Sequence, residues 1–459
     1  MRILVLFLLF QSTDPLSDRV LVQEHETHRS HVAPLTLAEI EAIALENNRE
    51  IAAMKERVTL AKAGITPATA IDDASFTYRA WGTPLLAPWN VNQTQHMFMF
   101  SQTLPAAGKR ELRYEAASQA VEVAEAQLEA TKLDVTARVR GAFYELLRNQ
   151  DELRLHDEQI ALARQAVAAA RIKYTVGRVP QQDVLKAQIA VTKLADHLAM
   201  FLQDGDLARV RLNTLMGRDP ASPLEVVGEY AASGTLPTIG ELKQIALDHR
   251  PDLKAMQAAT RQLETKVRMA QKNYKPDVSV GAGYMLMPSG SMNRNGYMAE
   301  LSFNLPWLNR SKHDSEIREA QSEVNVQRAQ LSAQQAVVFQ EIQEGLIRAN
   351  TAARLVEIYR DTLRPQAQAT LRAASAAYQT DQTDFLNLID SLPGDVDKQL
   401  LNAAADPGAD GTDTGFRFHH FPGSHDLFSD CLPSDFCGFH TNRFLFLFAE
   451  FHRRCRVCA

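Results

Sequence analysis

The side chains that do chemistry fall into three groups along this chain. His96, Met97 and Met99 lie together, and Met285, Met287 and Met292 form a second run. Imidazole and thioether are ligands for soft metals. Methionines interleaved with phenylalanine read first as packing, so no metal centre is assigned to them. The second group is Cys431, Cys437, His440, Cys455 and Cys458, the donor types of a zinc module. Their spacing matches no zinc pattern, and a disulfide pair is open to an exported chain. The third group is a set of aspartates, Asp183, Asp381 and Asp390, beside short breaks in long helical runs. Taken singly, such a carboxylate reads as a helix cap or a solvated charge. There is no phosphate-cradling glycine loop, zinc-protease helix motif or nucleophile elbow. No catalytic residue, cofactor or resident metal is therefore assigned, and the chain reads as a non-enzyme.

Composition narrows the class. The chain has 459 residues, a formal net charge of −6 and 23% charged residues. Without a basic face, nucleic acid is not an expected partner. Aromatics are 7%, and alanine, glutamine, glutamate and arginine dominate long stretches, as in long helices and coiled coils. The start, MRILVLFLLF, has the order of a secretory signal, and residues 1–30 are read as a signal-like segment, although QSTDPLSD is a poor cleavage site. No cysteine near this end offers a lipid anchor. No stretch is continuously apolar for the ~18 residues that a spanning helix needs. If this chain crosses a membrane, strands must do it.

The elements follow one plan used twice. Residues 36–54, TLAEIEAIALENNREIAAM, align without gaps on residues 238–256, TIGELKQIALDHRPDLKAM, at an offset of about 200 residues. Thr36 meets Thr238, Glu39 meets Glu241, and Ile40, Ile43 and Leu45 meet Leu242, Ile245 and Leu247 at helical spacing. Leu104-Pro105 and Leu305-Pro306 each stand between an alternating segment and a very long helical run, a junction that suits proline. YTVGRVPQQDVL, beginning at Tyr174, answers YQTDQTDFL, beginning at Tyr378, each a short break between helices. The two repeats are placed at 35–230 and 237–391. From Lys109 to Lys173 there is no proline, and Val121, Ala124, Leu128, Thr131, Val135, Val139, Ala142 and Leu146 form a narrow coiled-coil seam. Residues 311–378 repeat it, with a kink expected at Pro365.

Four segments have the period of strands: 74–80, 95–102, 277–286 and 297–304. In the last, Tyr297, Ala299, Leu301 and Phe303 take one face and Met298, Glu300 and Ser302 the other. Each approaches the ~9–11 residues that cross a bilayer at a tilt. Trp81, Trp89 and Tyr297 lie near segment ends, where an aromatic girdle would form. Four strands cannot close a barrel, and lipid does not tolerate an open edge. A membrane reading therefore requires an oligomer that shares one barrel.

Hairpin, Leu-Pro, long helix, glycine-bearing tip and returning helix, all repeated, resemble the TolC family of outer-membrane efflux proteins over roughly residues 35–391. The resemblance implies a mainly α fold with a small β part. A long α-helical coiled-coil barrel would join four transmembrane β-strands per subunit, and a homotrimer would close a twelve-stranded barrel. It implies a passive exit duct in the outer membrane, with its helical tunnel in the periplasm. The implied partners are outer-membrane lipid, a periplasmic adaptor and an inner-membrane pump. The family's tip residues carry over onto Asp183 after the first tip and Tyr378 at the second, which help hold the entrance closed. They also carry over onto Asp390, on the pattern of an acidic ring at the constriction, with Asn387 where a second acidic position is usual. Gly177 keeps the turn glycine of the first tip, and Asp381 replaces the glycine of the second, a residue that tolerates left-handed backbone better than most.

The tail departs from this plan. Residues 392–459 hold all 4 cysteines and 10 of the 20 phenylalanines, with no sustained helical period. The returning helix of the second repeat is expected to break off near Ser391. The segment reads as the product of a frame change, not as a functional domain. The competing reading of the whole chain is a soluble coiled-coil scaffold or periplasmic adaptor, which would need neither the alternating segments nor the signal-like start.

Overall fold

A computed structural model describes residues 33–83, 93–230, 237–288, 290–291, 294–380, 382–383, 385–391 and 394–405. All of them lie in the first of two units, Met1–Arg417. The second unit, Phe418–Ala459, is outside the described residues. So are residues 1–30, Trp89, Met292, Asp381 and the cysteine-bearing tail beyond Ala405.

The first repeat runs α1 (Leu37–Asn47), α2 (Arg49–Ala63), α3 (Ile65–Thr69), β1 (Ser75–Trp81), β2 (Gln95–Leu104), α4 (Lys109–Thr175) and α5 (Gln181–Leu215). The second runs α6 (Ile239–His249), α7 (Pro251–Lys272), β3 (Val278–Leu286), β4 (Asn295–Phe303), a 3-10 turn (Pro306–Asn309), α8 (Arg310–Ile358), a π turn (Tyr359–Leu363) and α9 (Arg364–Gln379). Two shorter helices follow, α10 (Phe385–Asp390) and α11 (Gly394–Ala405).

The repeated threonine and glutamate are helix caps. Thr36 Oγ1 accepts the Glu39 N–H, and the Glu39 carboxylate accepts the Thr36 N–H at 2.8 Å; Thr238 and Glu241 close the same box at 2.9 Å. Ile40 and Ala44, with their counterparts Leu242 and Ala246, face inward and are buried. The seam of α4 packs as its spacing predicts. Val135, Val139, Ala142 and Leu146 meet Ile40 and Ile51 on one side and Ala208 and Leu212 on the other. At 67 residues, α4 alone is on the order of 100 Å long.

At Pro365, where a kink is expected, the helix widens into a π turn just before the proline and then continues as α9. Proline has no N–H to give the preceding turn, and one wide turn accommodates the missing bond without breaking the rod.

The returning chain also continues further than expected. It does not end near Ser391: helix resumes in α11 and runs to Ala405. Arg148 Nη1 donates to Asn402 Oδ1 at 2.6 Å, Arg364 pairs with Asp397 at 3.0 Å, and Lys398 Nζ stands over the Phe201 ring. Ala403 and Ala405 are buried. The periodic stretch after Pro393 is short and was hidden by the irregular tail that follows it.

The strands form one antiparallel sheet in the order β1-β2-β3-β4. The segments expected to be strands are all strands, with ends shifted by at most a couple of residues. Lys109, at the start of α4, ties this sheet to the helices. Its ammonium lies 2.9 Å from both oxygens of Asp277, which precedes β3, and Asp277 also accepts the Ala106 N–H at 2.7 Å. Gly108, in the left-handed region at φ +85°, makes the turn into α4.

Candidate functional site

Two regions carry the residues singled out from sequence: the turns between the long helices and the sheet. At the first tip, α4 ends in a left-handed Gly177, φ +72°. The Gly177 N–H reaches Tyr174 O, and the Arg178 N–H reaches back five residues to Lys173 O at 2.9 Å. This is the paired bonding that closes a helix on glycine. Pro180 then starts α5, and Asp183 sits in its first turn, half-buried, where the helix dipole favours a carboxylate.

The second tip closes in the same way. The Gln382 N–H reaches back five residues to Ala377 O at 2.9 Å, the same span and length as Arg178 to Lys173. Asp381 stands where the first tip has Gly177 and lies outside the described residues. Tyr378, only 5% exposed, inserts into an apolar cluster with Ala166 and Ala170 of α4 and Val184 and Ala187 of α5. Lys173 pins it from the side: its ammonium stands 4.0 Å from the ring centroid and donates to Tyr378 O. Sequence reading missed Lys173. Its position just before the tip tyrosine Tyr174 was visible, but only the folded tips bring it to a residue 205 positions away.

Asp183 and Tyr378 thus lie in one tip assembly. Asp183 immediately precedes Val184, which packs in the cluster around Tyr378. Asp390 is the exposed last residue of α10. A carboxylate there gains nothing from the helix dipole, which favours cations at that end. Asn387, one turn earlier, is exposed and donates to Thr383 Oγ1 at 3.2 Å.

The sheet has two unlike faces. Register pairs Phe76 with Phe100, Phe100 with Ala282, and Ala282 with Ala299. Phe76, Tyr78, Phe100, Val280, Leu301 and Phe303 therefore share one side. It is uncovered: Phe100 is 63% and Leu301 67% exposed, and Tyr297 on the same side reaches 89%. The opposite side carries Ser75, Thr77, Ser101, Gly281, Glu300 and Ser302, with Met97, Met99, Met285, Met298 and Trp81 among them. β1 pairs only with β2 and β4 only with β3 among the described residues, so both edges of the sheet are open. An exposed apolar face backed by a polar one inverts the plan of a soluble sheet. It is the pattern of a strand set placed between lipid and water.

Comparison with known proteins agrees with this geometry. The family model described as "Outer membrane efflux protein" matches residues 42–218 and 242–384, one span in each repeat. The chain is 23% identical over 368 residues to the cobalt-zinc-cadmium resistance protein CzcC of Cupriavidus metallidurans, covering 79% of this chain and 84% of that one. It is 20% identical over 365 residues to nodulation protein T of Rhizobium leguminosarum bv. trifolii, covering 76% and 77%. Among solved structures, the outer membrane protein VceC from Vibrio cholerae superposes with a TM-score of 0.68 at 17% identity, covering 83% of this chain and 96% of that one.

Proposed function

The chain belongs to the outer membrane efflux protein family, and from that premise we propose how its parts divide the work. It is an outer-membrane channel of a tripartite efflux system, with strands in the membrane and a helical tunnel reaching into the periplasm. The soluble-scaffold reading is set aside.

The observation that carries the rest is the sheet: apolar and uncovered on one face, polar on the other, with both edges unpaired. Lipid contains no water to satisfy those edges, so each must pair with another copy. Three copies give twelve strands, an even number within the range of closed barrels. The face of Phe100 and Leu301 then meets lipid, and the face of Ser101 and Glu300 lines the lumen.

At the far end, the tips form the entrance. Tyr378, held in its cluster by Lys173, fastens α9 to α4 and α5, and Asp183 lies on the turn of α5 that opening must move. Asp390 presents one carboxylate per subunit to the pore, where a ring of three would repel itself and attract cations. An adaptor docks on the tips, and an inner-membrane pump supplies the cargo.

Single-channel recording in planar bilayers tests this division. Lys173→Ala and Tyr378→Ala should raise the mean conductance, because each frees α9 from the other tip helices. Asp390→Asn should weaken block by trivalent cations applied from the periplasmic side. Unchanged conductance in both tip variants rejects the gate, and unchanged block rejects Asp390 as a pore residue.

A further inference from the structure

The sheet register sorts the methionines. Met97, Met99, Met285 and Met298 all fall on the face of Ser101 and Glu300, and the strands carry no methionine on the other face. Apart from Trp81 at the end of β1, methionine is the one large apolar residue type on that face within the four strands. A lumen face is ordinarily polar. If apolar bulk were all that was needed, leucine would serve, and Leu104, Leu286 and Leu301 serve on the opposite face. Thioether sulfur is what distinguishes the chosen residue.

Met97 and Met285 are direct cross-strand partners, and Met285 pairs onward with Gly296. Two residues along, Met99 and Met298 stand on either side of Gly283. Side chains paired across strands have Cβ atoms about 4.5–5.5 Å apart. A Cβ on Gly283 would stand 2.6 Å from Phe98 O and 3.1 Å from Met298 Cγ, so a side chain there would crowd the backbone and the methionine together; one on Gly296 would meet Met285 Cε at 3.7 Å, an ordinary contact. Met99 is buried at 5% exposure and the other three are half-buried. Unbranched methionine side chains can converge their sulfurs from such positions, an ion displacing Gln95 Nε2, which donates to Met285 Sδ at 2.6 Å. Among the described residues, no group of three or more histidine, cysteine, aspartate or glutamate side chains is arranged to hold a metal.

We infer that Met97, Met99, Met285 and Met298 form an uncharged thioether site for a soft monovalent cation, silver(I) or copper(I). This rests on the proposed assignment of their face to the lumen. Neutral sulfur ligands leave the ion its charge and hold it without a carboxylate, which suits a site that an ion must also leave.

The test uses the full chain carrying Cys431→Ser, Cys437→Ser, Cys455→Ser and Cys458→Ser, so that no thiol competes. Purified in detergent, it is titrated with silver nitrate in chloride-free buffer by calorimetry, and the complex is measured by silver-edge X-ray absorption. A saturable site with a sulfur-only first shell is expected. The triple variant Met97→Leu, Met285→Leu, Met298→Leu keeps side-chain volume and should still fractionate with outer membranes. It should bind silver at least about tenfold more weakly. Met99→Leu alone should weaken binding without disturbing assembly. Silver bound without sulfur ligands, no saturable binding, or equal binding by the leucine variants overturns the site. The face assignment is read separately in the cysteine-free background. A membrane-impermeant maleimide should label Ser101→Cys and spare Phe100→Cys in proteoliposomes. The reverse pattern would sink the lumen assignment whatever the silver result.

Discussion

Asp277 and Lys109 show how much rests on single side chains where sheet and helices meet. Burial acts to raise the Asp277 carboxyl, but the Lys109 ammonium, the Ala106 N–H and the Lys109 charge outweigh it and hold it below the usual carboxylate range. A lowered folded-state pKa means that the unfolded chain binds the proton more readily. The stabilisation is therefore complete above the unfolded value, about 3.9, and is lost as pH falls through the folded value. Asp277→Asn should lower the melting temperature at pH 7, and the gap from the parent should narrow as pH falls below about 4. Thermal melts in detergent at the two pH values check this; a gap that widens in acid contradicts it. Lys109 and Asp277 are 168 positions apart, so their pairing was not legible in the sequence, whereas the match of Thr36 and Glu39 to Thr238 and Glu241 was.

At the scale of elements, the pairing of α4 with α5 depends on one position that cannot carry a side chain. Asn149 of α4 donates to Phe201 O of α5 at 2.8 Å, and a Cβ on Gly205 would overlap Asn149 Oδ1. Gly205→Ala must push the amide aside, at the cost of its hydrogen bond and of the close helix approach. The expected loss is about 1–3 kcal/mol, seen as a lower midpoint for thermal unfolding in detergent. Asn149→Ala combined with Gly205→Ala should recover part of it, since the clash is then gone. A single variant as stable as the parent would show that the helices are looser than this contact implies. The four alternating segments all became strands because their period of two matches a pleated ladder. The rods became helices because a spacing of three and four matches a helical face. The π turn at Pro365 and the resumption of helix at α11 were not legible. Both depend on what the neighbouring helices accept.

For the whole molecule, the unpaired edges of β1 and β4 set the expectation. Mass measurement of the detergent-solubilised protein should give three chain masses, and a stable monomer or dimer would count against the shared barrel. Substitution of proline at Thr77 in β1 should abolish that assembly. β1 would become the joint between copies, and proline removes a ladder donor there. The tip assembly also belongs to this scale, since Lys173 and Tyr378 come from different repeats and meet only when both are folded.

The sequence by itself determined the repeat, the helical and strand periods, the turn glycine Gly177 and the family resemblance. Each is written in residues close together in the chain or in two stretches that can be compared directly. The tertiary structure decided which residues work together. It set Lys173 against Tyr378, Lys109 against Asp277 and Gly205 against Asn149, and it brought four methionines from three strands onto one face. Strand register and helix packing are fixed by long-range burial, and a shift of one residue in a strand would have turned those methionines to the opposite side.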